Sequence, residues 1–183
     1  MVMSDELILV DIYDNEIGAA DKAAAHCRPL LHRAFSVFLY DDTENHARIL
    51  LQKRALSKYH SAGLWANTCC SHPRRGEDLC AAAAQRLAEE MGISSPPLQE
   101  ISAFVYYHQF HDSLYEYEFD HVLVGRYNGD YQVNPAEAAE AAWVAEDILA
   151  QDLSANPRLY APWFLIAAPL VLQWLIHNKK HSS

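Results

Sequence analysis

The chain has 183 residues, 51% of them apolar, which suits one domain large enough to enclose a small ligand. A formal net charge of -10 argues against nucleic acid as the main partner, yet leaves room for one small anion held by local lysines and arginines. Four cysteines, two of them adjacent, make no secretory disulfide framework, and with no signal peptide ahead of them a reducing cytoplasm is the expected setting.

Residues 6–13 (ELILVDIY) read as a short buried strand, turned by Asp14-Asn15 and Gly18. Residues 22–27 lead to the next apolar run. His26 and His32 stand six apart, on either side of a loop carrying Pro29. That is not the i, i+4 spacing of two ligands on one helix, so a shared metal has to use a loop or a strand edge. Taken singly, each reads first as a surface or hydrogen-bonded histidine. Residues 33–40 (RAFSVFLY) and 48–52 (RILLQ) read as a hairpin across a polar turn at 41–46. Lys53, Arg54 and Lys58 follow, three cations in six residues just outside a strand. They suit either a phosphate clamp or a solvated basic loop. Residues 64–68 then lead into Cys69-Cys70-Ser71-His72-Pro73, where two thiols and an imidazole crowd together.

A helix is predicted from Glu77-Asp78, whose charges suit its positive end, to Gly92, a left-handed cap. Leu79, Ala83, Leu87 and Met91 recur every four residues and form its core stripe. Arg86 and Glu90 share a neighbouring stripe. They are either a helical ion pair worth ~0.3–0.5 kcal/mol or a cation and a carboxylate facing one bound phosphate and metal. Residues 94–98, with two prolines, read as a loop, and residues 101–110 and 114–124 as strands across a turn at 111–113. Glu116 and Glu118 alternate with Tyr115, Tyr117 and Phe119, so both carboxylates share one strand face. On an outer face they are ordinary acids. On an inner face they need a cation or a proton. Residues 128–135 read as a turn region, 142–144 as a short strand and 146–152 as a helix broken by Asn156 and Pro157. Pro162 suits the first turn of a closing helix that holds Trp163 and Trp174. Its apolar stretch, 163–176, contains Pro169 and Gln173 and falls short of the ~20 residues a bilayer requires. A buried amphipathic helix is expected there, not a membrane span.

The run from Ser71 through Glu77 to Gln85-Arg86-Leu87-Ala88-Glu89-Glu90-Met91-Gly92-Ile93 resembles the Nudix box, Gly-x5-Glu-x7-Arg-Glu-U-x-Glu-Glu-x-Gly-U with U apolar. The resemblance implies an α+β fold: one domain over 1–183, an α/β/α sandwich with a mixed sheet and flanking helices. Two box positions differ. Ser71 stands for the first glycine, and Gln85-Arg86 for Arg-Glu. A Nudix hydrolase uses the replaced glutamate as a magnesium ligand, so diphosphate cleavage in that manner is not expected. Over most of its length the chain resembles the type I isopentenyl-diphosphate delta-isomerases. The matching pieces are His26, Leu31-His32-x-Ala34-Phe35, Lys53-Arg54-Ala55-Leu56-Ser57-Lys58, Gly63-Leu64-Trp65-x-Asn67, Cys70-x-His72-Pro73, Glu116-x-Glu118 and Pro162-Trp163. Ser71 again replaces a usual glycine, and the turn at 41–47 is longer than usual.

That resemblance implies conversion of isopentenyl diphosphate to dimethylallyl diphosphate. Such chemistry needs an acid for an unactivated alkene, a base across from it, and shelter for a tertiary carbocation. Cys70 and Glu118 are implied as the two acid/base groups, with Tyr106 hydrogen-bonding near Glu118. Trp163 is implied to offer its face to the cation, worth about 2 kcal/mol or more when desolvated. By the same resemblance His26, His32, His72, Glu116 and Glu118 hold a divalent ion, Mn2+, Mg2+ or Zn2+. The resemblance also implies a Mg2+ ion between Glu90 and the diphosphate, and Lys22, Arg54, Lys58 and Arg86 as the cations that bind the phosphates. The expected partner is this small molecule, with no nucleic acid and no membrane span, on a monomer or weak dimer. Two rivals remain. A Nudix diphosphohydrolase would lack its box glutamate at Arg86. A zinc module on Cys69, Cys70 and His72 would suffer from adjacent cysteines.

Overall fold

The computed structural model describes residues 6–43, 46–94 and 96–179. The expected turn at 41–46 and loop at 94–98 therefore lie partly outside the described residues, as do both ends of the 1–183 domain. Among the described residues, nine strands form one mixed sheet. Its centre is β3 (His32–Asp41), buried along nearly its whole length because both faces are covered. On one side β3 takes β8 (Leu114–Arg126) in parallel, with His32 opposite Glu118 and Tyr40 opposite Arg126. On the other it takes β6 (Cys69–Ser71), with Ser36 opposite Cys70. Only its last residues, from Leu39 to Asp41, pair with β4 (Arg48–Arg54). Beyond that short contact β4 takes β5 (Trp65–Ala66), and along its whole length it pairs with β9 (Ala138–Ala145). The strand β7 (Leu98–His111) pairs with β8 on the far side from β3.

Helices cover both faces, as the α/β/α expectation requires. Alternation along β3 sends Phe35, Val37 and Leu39 to one side, against Leu87 and Met91 of α2 (Leu79–Met91). Phe38 goes to the other side, against Phe164, Ala168 and Val171 of α4 (Phe164–Lys179). The Asp78 carboxylate accepts the Ala81 N–H to start α2, and Gly92 closes it with φ 65°. No helix of the described residues is long and apolar enough to cross a membrane. A further helix, α3 (Glu146–Ala155), lies beside α4.

Two expectations need correction. Residues 16–21 are not turn and connector but a strand, β2 (Glu16–Asp21), paired with β1 (Glu6–Val10). Its sequence, EIGAAD, is largely exposed and carries no clear period-two apolar pattern. Residues 22–27 form a short helix, α1 (Lys22–Cys27), because the Asp21 carboxylate caps the Ala23 and Ala24 N–H groups. Pro162 lies in the turn that leads into the closing helix, where the Ala161 carbonyl accepts the Leu165 N–H at 3.3 Å, while the regular helix is counted from Phe164. The Trp163 carbonyl accepts the Ile166 and Ala167 N–H groups.

Candidate active site

The parallel register of β3 and β8 settles which face of β8 is buried. Glu116, Glu118 and Asp120 are 5%, 8% and 1% exposed, and Tyr115 and Tyr117 lie on the other face. His32 reaches Glu118 from β3, His72 reaches it from just beyond β6, and His26 comes from α1. One ligand atom from each of His26, His32, His72 and Glu118 lies within 4.8 Å of the others. Two histidines are aimed by the backbone. Nδ1 of His26 bonds the Lys22 carbonyl at 2.7 Å, and Nδ1 of His32 bonds the Leu30 carbonyl at 2.8 Å. Each Nδ1 therefore carries the hydrogen, and each Nε2, buried and without a hydrogen-bond partner, presents its lone pair. Orphaned imidazole nitrogens beside a carboxylate are the donor set of a divalent cation, so these residues fit the ion that the family resemblance implies.

The remaining expected ligand, Glu116, stands apart from this group. Its Oε1 lies 2.9 Å from Nε2 of His60, and its Oε2 is buried without a partner. Burial, then the neighbouring Glu118, pushes the Glu116 carboxyl well up. Glu118 moves the other way. Burial would raise it, but His72, whose Nε2 lies 3.0 Å from Oε1, and His32, whose Nε2 lies 3.6 Å away, outweigh that and hold it well below the usual carboxylate range. Burial takes His72 down to about 4 and, with Arg54 beside it, His60 down to about 3.

Beside the histidines lies a cavity of about 100 Å³, lined among others by Cys70, Glu116, Glu118 and Trp163. The three-residue strand β6 explains why one cysteine enters it and its neighbour does not. Period two sends Cys69 into the core against α2, fully buried, and turns Cys70 into the cavity. Both are free thiols. Burial raises Cys70 far above a normal thiol, Glu90, Glu118 and Glu116 add to this, and Arg54 only partly opposes it. Cys70 therefore stands protonated. Tyr106, opposite Glu118 in the β7–β8 pair, is 3% exposed, and its hydroxyl has no hydrogen-bond partner. Burial and then Glu116 raise it too. Trp163 is 3% exposed. Its Nε1 donates to Asn67 Oδ1 at 3.0 Å, and the Arg54 guanidinium sits 5.1 Å from its ring centre.

An adjoining cleft of about 280 Å³ shares Lys22, Lys58, Ser71, His72, Arg86 and Glu137 with this cavity. The expected phosphate-binding cations converge here. Lys22, Lys58 and Arg86 line both spaces, and Arg54 lines the inner one. Arg86 bonds Glu89 and Glu90 at 2.6 Å each and reaches Glu137 at 3.5 Å, and Lys58 pairs with Glu137. Lys53, the third cation of the basic run, instead points outward toward Glu140. Glu90 is 3% exposed, with one oxygen on Arg86 and the other taking the Gln52 amide at 3.1 Å. Sequence reasoning missed His60, Glu137 and Asp120, whose Oδ2 accepts the Ser36 hydroxyl at 2.8 Å. Asp120 was legible as the next inward residue after Glu116 and Glu118. His60 and Glu137 lie in or beside loops, where no periodicity marks an inward side chain.

Residues 30–164 match the NUDIX domain family. An isopentenyl-diphosphate Delta-isomerase of Serratia proteamaculans is 48% identical over 163 residues, 89% of this chain and 89% of its own length. Isopentenyl-diphosphate Delta-isomerase 1 of Aromatoleum aromaticum is 50% identical over 161 residues, 88% and 89% of the two lengths. Among solved structures, the MutT protein of Methanosarcina mazei superposes with a TM-score of 0.61 at 16% identity, covering 81% of this chain and 96% of that one, a likeness of fold alone. The chain belongs to the NUDIX-domain family and, within it, to the isopentenyl-diphosphate Delta-isomerases.

Proposed function

We propose that the chain isomerises isopentenyl diphosphate to dimethylallyl diphosphate, with Cys70 and Glu118 as its acid/base pair. The observation that carries this reading is one cavity. Cys70 and Glu118 enter it from strands on opposite sides of β3, and it opens directly on the cationic cleft. The reaction adds a proton to the terminal alkene carbon and removes one from the carbon nearer the diphosphate, so no atom is gained or lost overall. In the free protein Cys70 holds a proton and Glu118 does not. A net relocation of one proton needs such a start, one group loaded and one empty.

Lys22, Arg54, Lys58 and Arg86 bind the diphosphate, which fixes how deep the alkene reaches. Burial of the cavity walls excludes water from the cation. Trp163 offers an aromatic face, while the Arg54 charge close to that ring is offset by the phosphates it binds. Tyr106 has its hydroxyl free to share a proton with the carboxylates of β8. His26, His32, His72 and Glu118, with Glu116 behind them, would hold a divalent ion, Mn2+, Mg2+ or Zn2+, and Glu90 a Mg2+ ion arriving with the diphosphate. When bound, the histidine-site ion would supply the positive charge that lets two buried carboxylates lie side by side in the cavity. Free thiols throughout fit a reducing, cytoplasmic setting.

The test is conversion of isopentenyl diphosphate by the purified protein, followed by NMR, with metal content measured before and after chelation. Allylic product that vanishes on chelation and returns with the metal is expected. Phosphate release from nucleoside diphosphate compounds, without allylic product, would overturn the reading.

A further inference from the structure

We infer that His60 is a positioning residue for Glu116: a strained loop drives its ring into the cavity, where it holds one carboxylate oxygen and leaves the other facing inward. The inference deepens the reading of this cavity as an isomerase site and rests on it.

The loop joins β4 to β5. It places Ser61 at φ 50° and Gly63 at φ 73°. Glycine tolerates the left-handed region, but serine there is strained, and such strain persists only where the surroundings over-determine it. Here Arg54 N–H bonds the Leu64 carbonyl at 2.9 Å, Gly63 N–H bonds the Arg54 carbonyl at 3.0 Å, and Leu64 N–H bonds the Ser61 carbonyl at 3.2 Å. Both Tyr59 and His60 line the cavity, but to different depths. Tyr59 is 56% exposed, and His60, next to it, only 8%.

Inside, the imidazole is fixed on three sides. Its ring lies 4.6 Å from that of Phe110, tilted 31°, and meets Trp163 nearly edge-on at 5.8 Å. Nε2 lies 2.9 Å from Glu116 Oε1, and Ser61 Oγ, 3.4 Å from Nδ1, can donate to that nitrogen, which leaves an Nε2–H for the carboxylate once Glu116 is ionised as a ligand. That leaves Glu116 Oε2 as a buried acceptor with no partner among the described residues, on the strand face it shares with Glu118. With His60 on Oε1, Oε2 is left to the cavity side with the Tyr106 hydroxyl near it, free to turn to a cation. The arrangement is that of an outer histidine orienting a metal-site carboxylate.

The experiment uses the full chain with His60→Phe, which keeps the aromatic contacts and removes the donor, and His60→Gln, which restores an N–H donor. Mn2+ affinity of the chelator-stripped protein, thermal midpoint, kcat and KM are measured on each. His60→Phe is expected to lose roughly 10–100-fold in Mn2+ affinity and in kcat, with KM and midpoint nearly unchanged, and His60→Gln to recover most of both. A folded His60→Phe with native Mn2+ affinity overturns the inference, and so does a folded His60→Gln as weak as His60→Phe. If His60→Phe does not fold, the native protein decides through ¹⁵N-histidine NMR with Zn2+. The His60 Nε2 must stay protonated and shift on Zn2+ binding, and an unprotonated or unresponsive Nε2 refutes the role. Because Mn2+ affinity and the NMR signal do not need turnover, a native protein that binds metal without isomerising refutes the isomerase reading separately.

Discussion

Cys69 and Cys70 differ by one position on β6 and by everything in their surroundings, so paired alanine substitutions should separate stability from activity. Cys69 is fully buried among Phe35, Val37, Ala83 and Leu87. Removing its sulfur deletes about one methylene-sized group from a packed core, which costs ~0.5–1.5 kcal/mol. For a chain of this size each kcal/mol moves the thermal midpoint by roughly 2–4 °C. Cys69→Ala is therefore expected to melt a few degrees lower and to turn over isopentenyl diphosphate almost normally. Cys70 faces the cavity, and its proton is held there by burial and three nearby carboxylates. A positioned acid or base contributes about 10²–10⁴ in rate, so Cys70→Ala should lose at least that much kcat. Its KM should change little, because the cations proposed to bind the phosphates, Lys22, Lys58 and Arg86, also line the adjoining cleft, which the thiol does not reach. The assay is kcat, KM and thermal midpoint for both variants at one metal concentration. Equal losses of kcat from the two substitutions would refute the alternation along β6 as the cause of their roles.

Two other expectations concern the frame around the site. Gly92→Ala puts a Cβ at φ 65°, 3.2 Å from Gln132 Cβ and 3.3 Å from its carbonyl oxygen. A left-handed non-glycine residue costs about 1–2 kcal/mol, so a midpoint unchanged by calorimetry would show that α2 does not depend on this cap. Asp41 is buried, which alone would raise its carboxyl, yet bonds from Arg48 and Thr43 lower it from 3.8 to about 2. The unfolded chain takes up this proton at a higher pH than the folded one, so the stabilisation is complete above 3.8 and is lost as pH falls toward about 2. Arg48 is 37% exposed, so the contribution is discounted for solvent screening to about 1 kcal/mol. Asp41→Asn should be less stable by that amount at pH 6, the gap closing below pH 4 in denaturant titrations, and a gap independent of pH would refute the pairing.

What the sequence revealed follows the range of the forces involved. The helix α2 was legible end to end, because its apolar stripe, its acidic start and Gly92 all act within a few residues. Glu116 and Glu118 were legible as sharing a face, since the period of a strand is local. Which face is buried was not, because that depends on β8 lying parallel to β3, strands some eighty residues apart in sequence. The strand β2 escaped notice because it is an exposed edge with no apolar alternation. His60 escaped for a different reason. Nothing near it in sequence announces that Ser61 takes a left-handed backbone, and without that turn the residue reads as one more polar side chain in a basic loop.

The same locality explains how one helix can serve two chemistries. In the Nudix box the carboxylates at the end of α2 face a diphosphate, and a glutamate at the position of Arg86 would add another negative charge beside Glu89 and Glu90. Arg86 reverses that sign. It is held by Glu89 and Glu90 at 2.6 Å and by Glu137 at 3.5 Å, and Lys58 leans on Glu137 from the other side. Burial weakens the charge on Arg86, but these carboxylates more than compensate and keep it fully cationic. The free protein thus keeps Lys58 and Arg86 ordered by its own acids, and on the proposed function a diphosphate would replace Glu137 as their counter-ion. The exchange conserves the charge pairs at low desolvation cost, so an acidic chain can bind an anion. It also leaves the diphosphate without the added carboxylate beside it, which fits the proposed division of roles: α2 to hold the diphosphate, and Cys70 and Glu118, in the inner cavity, to move the protons.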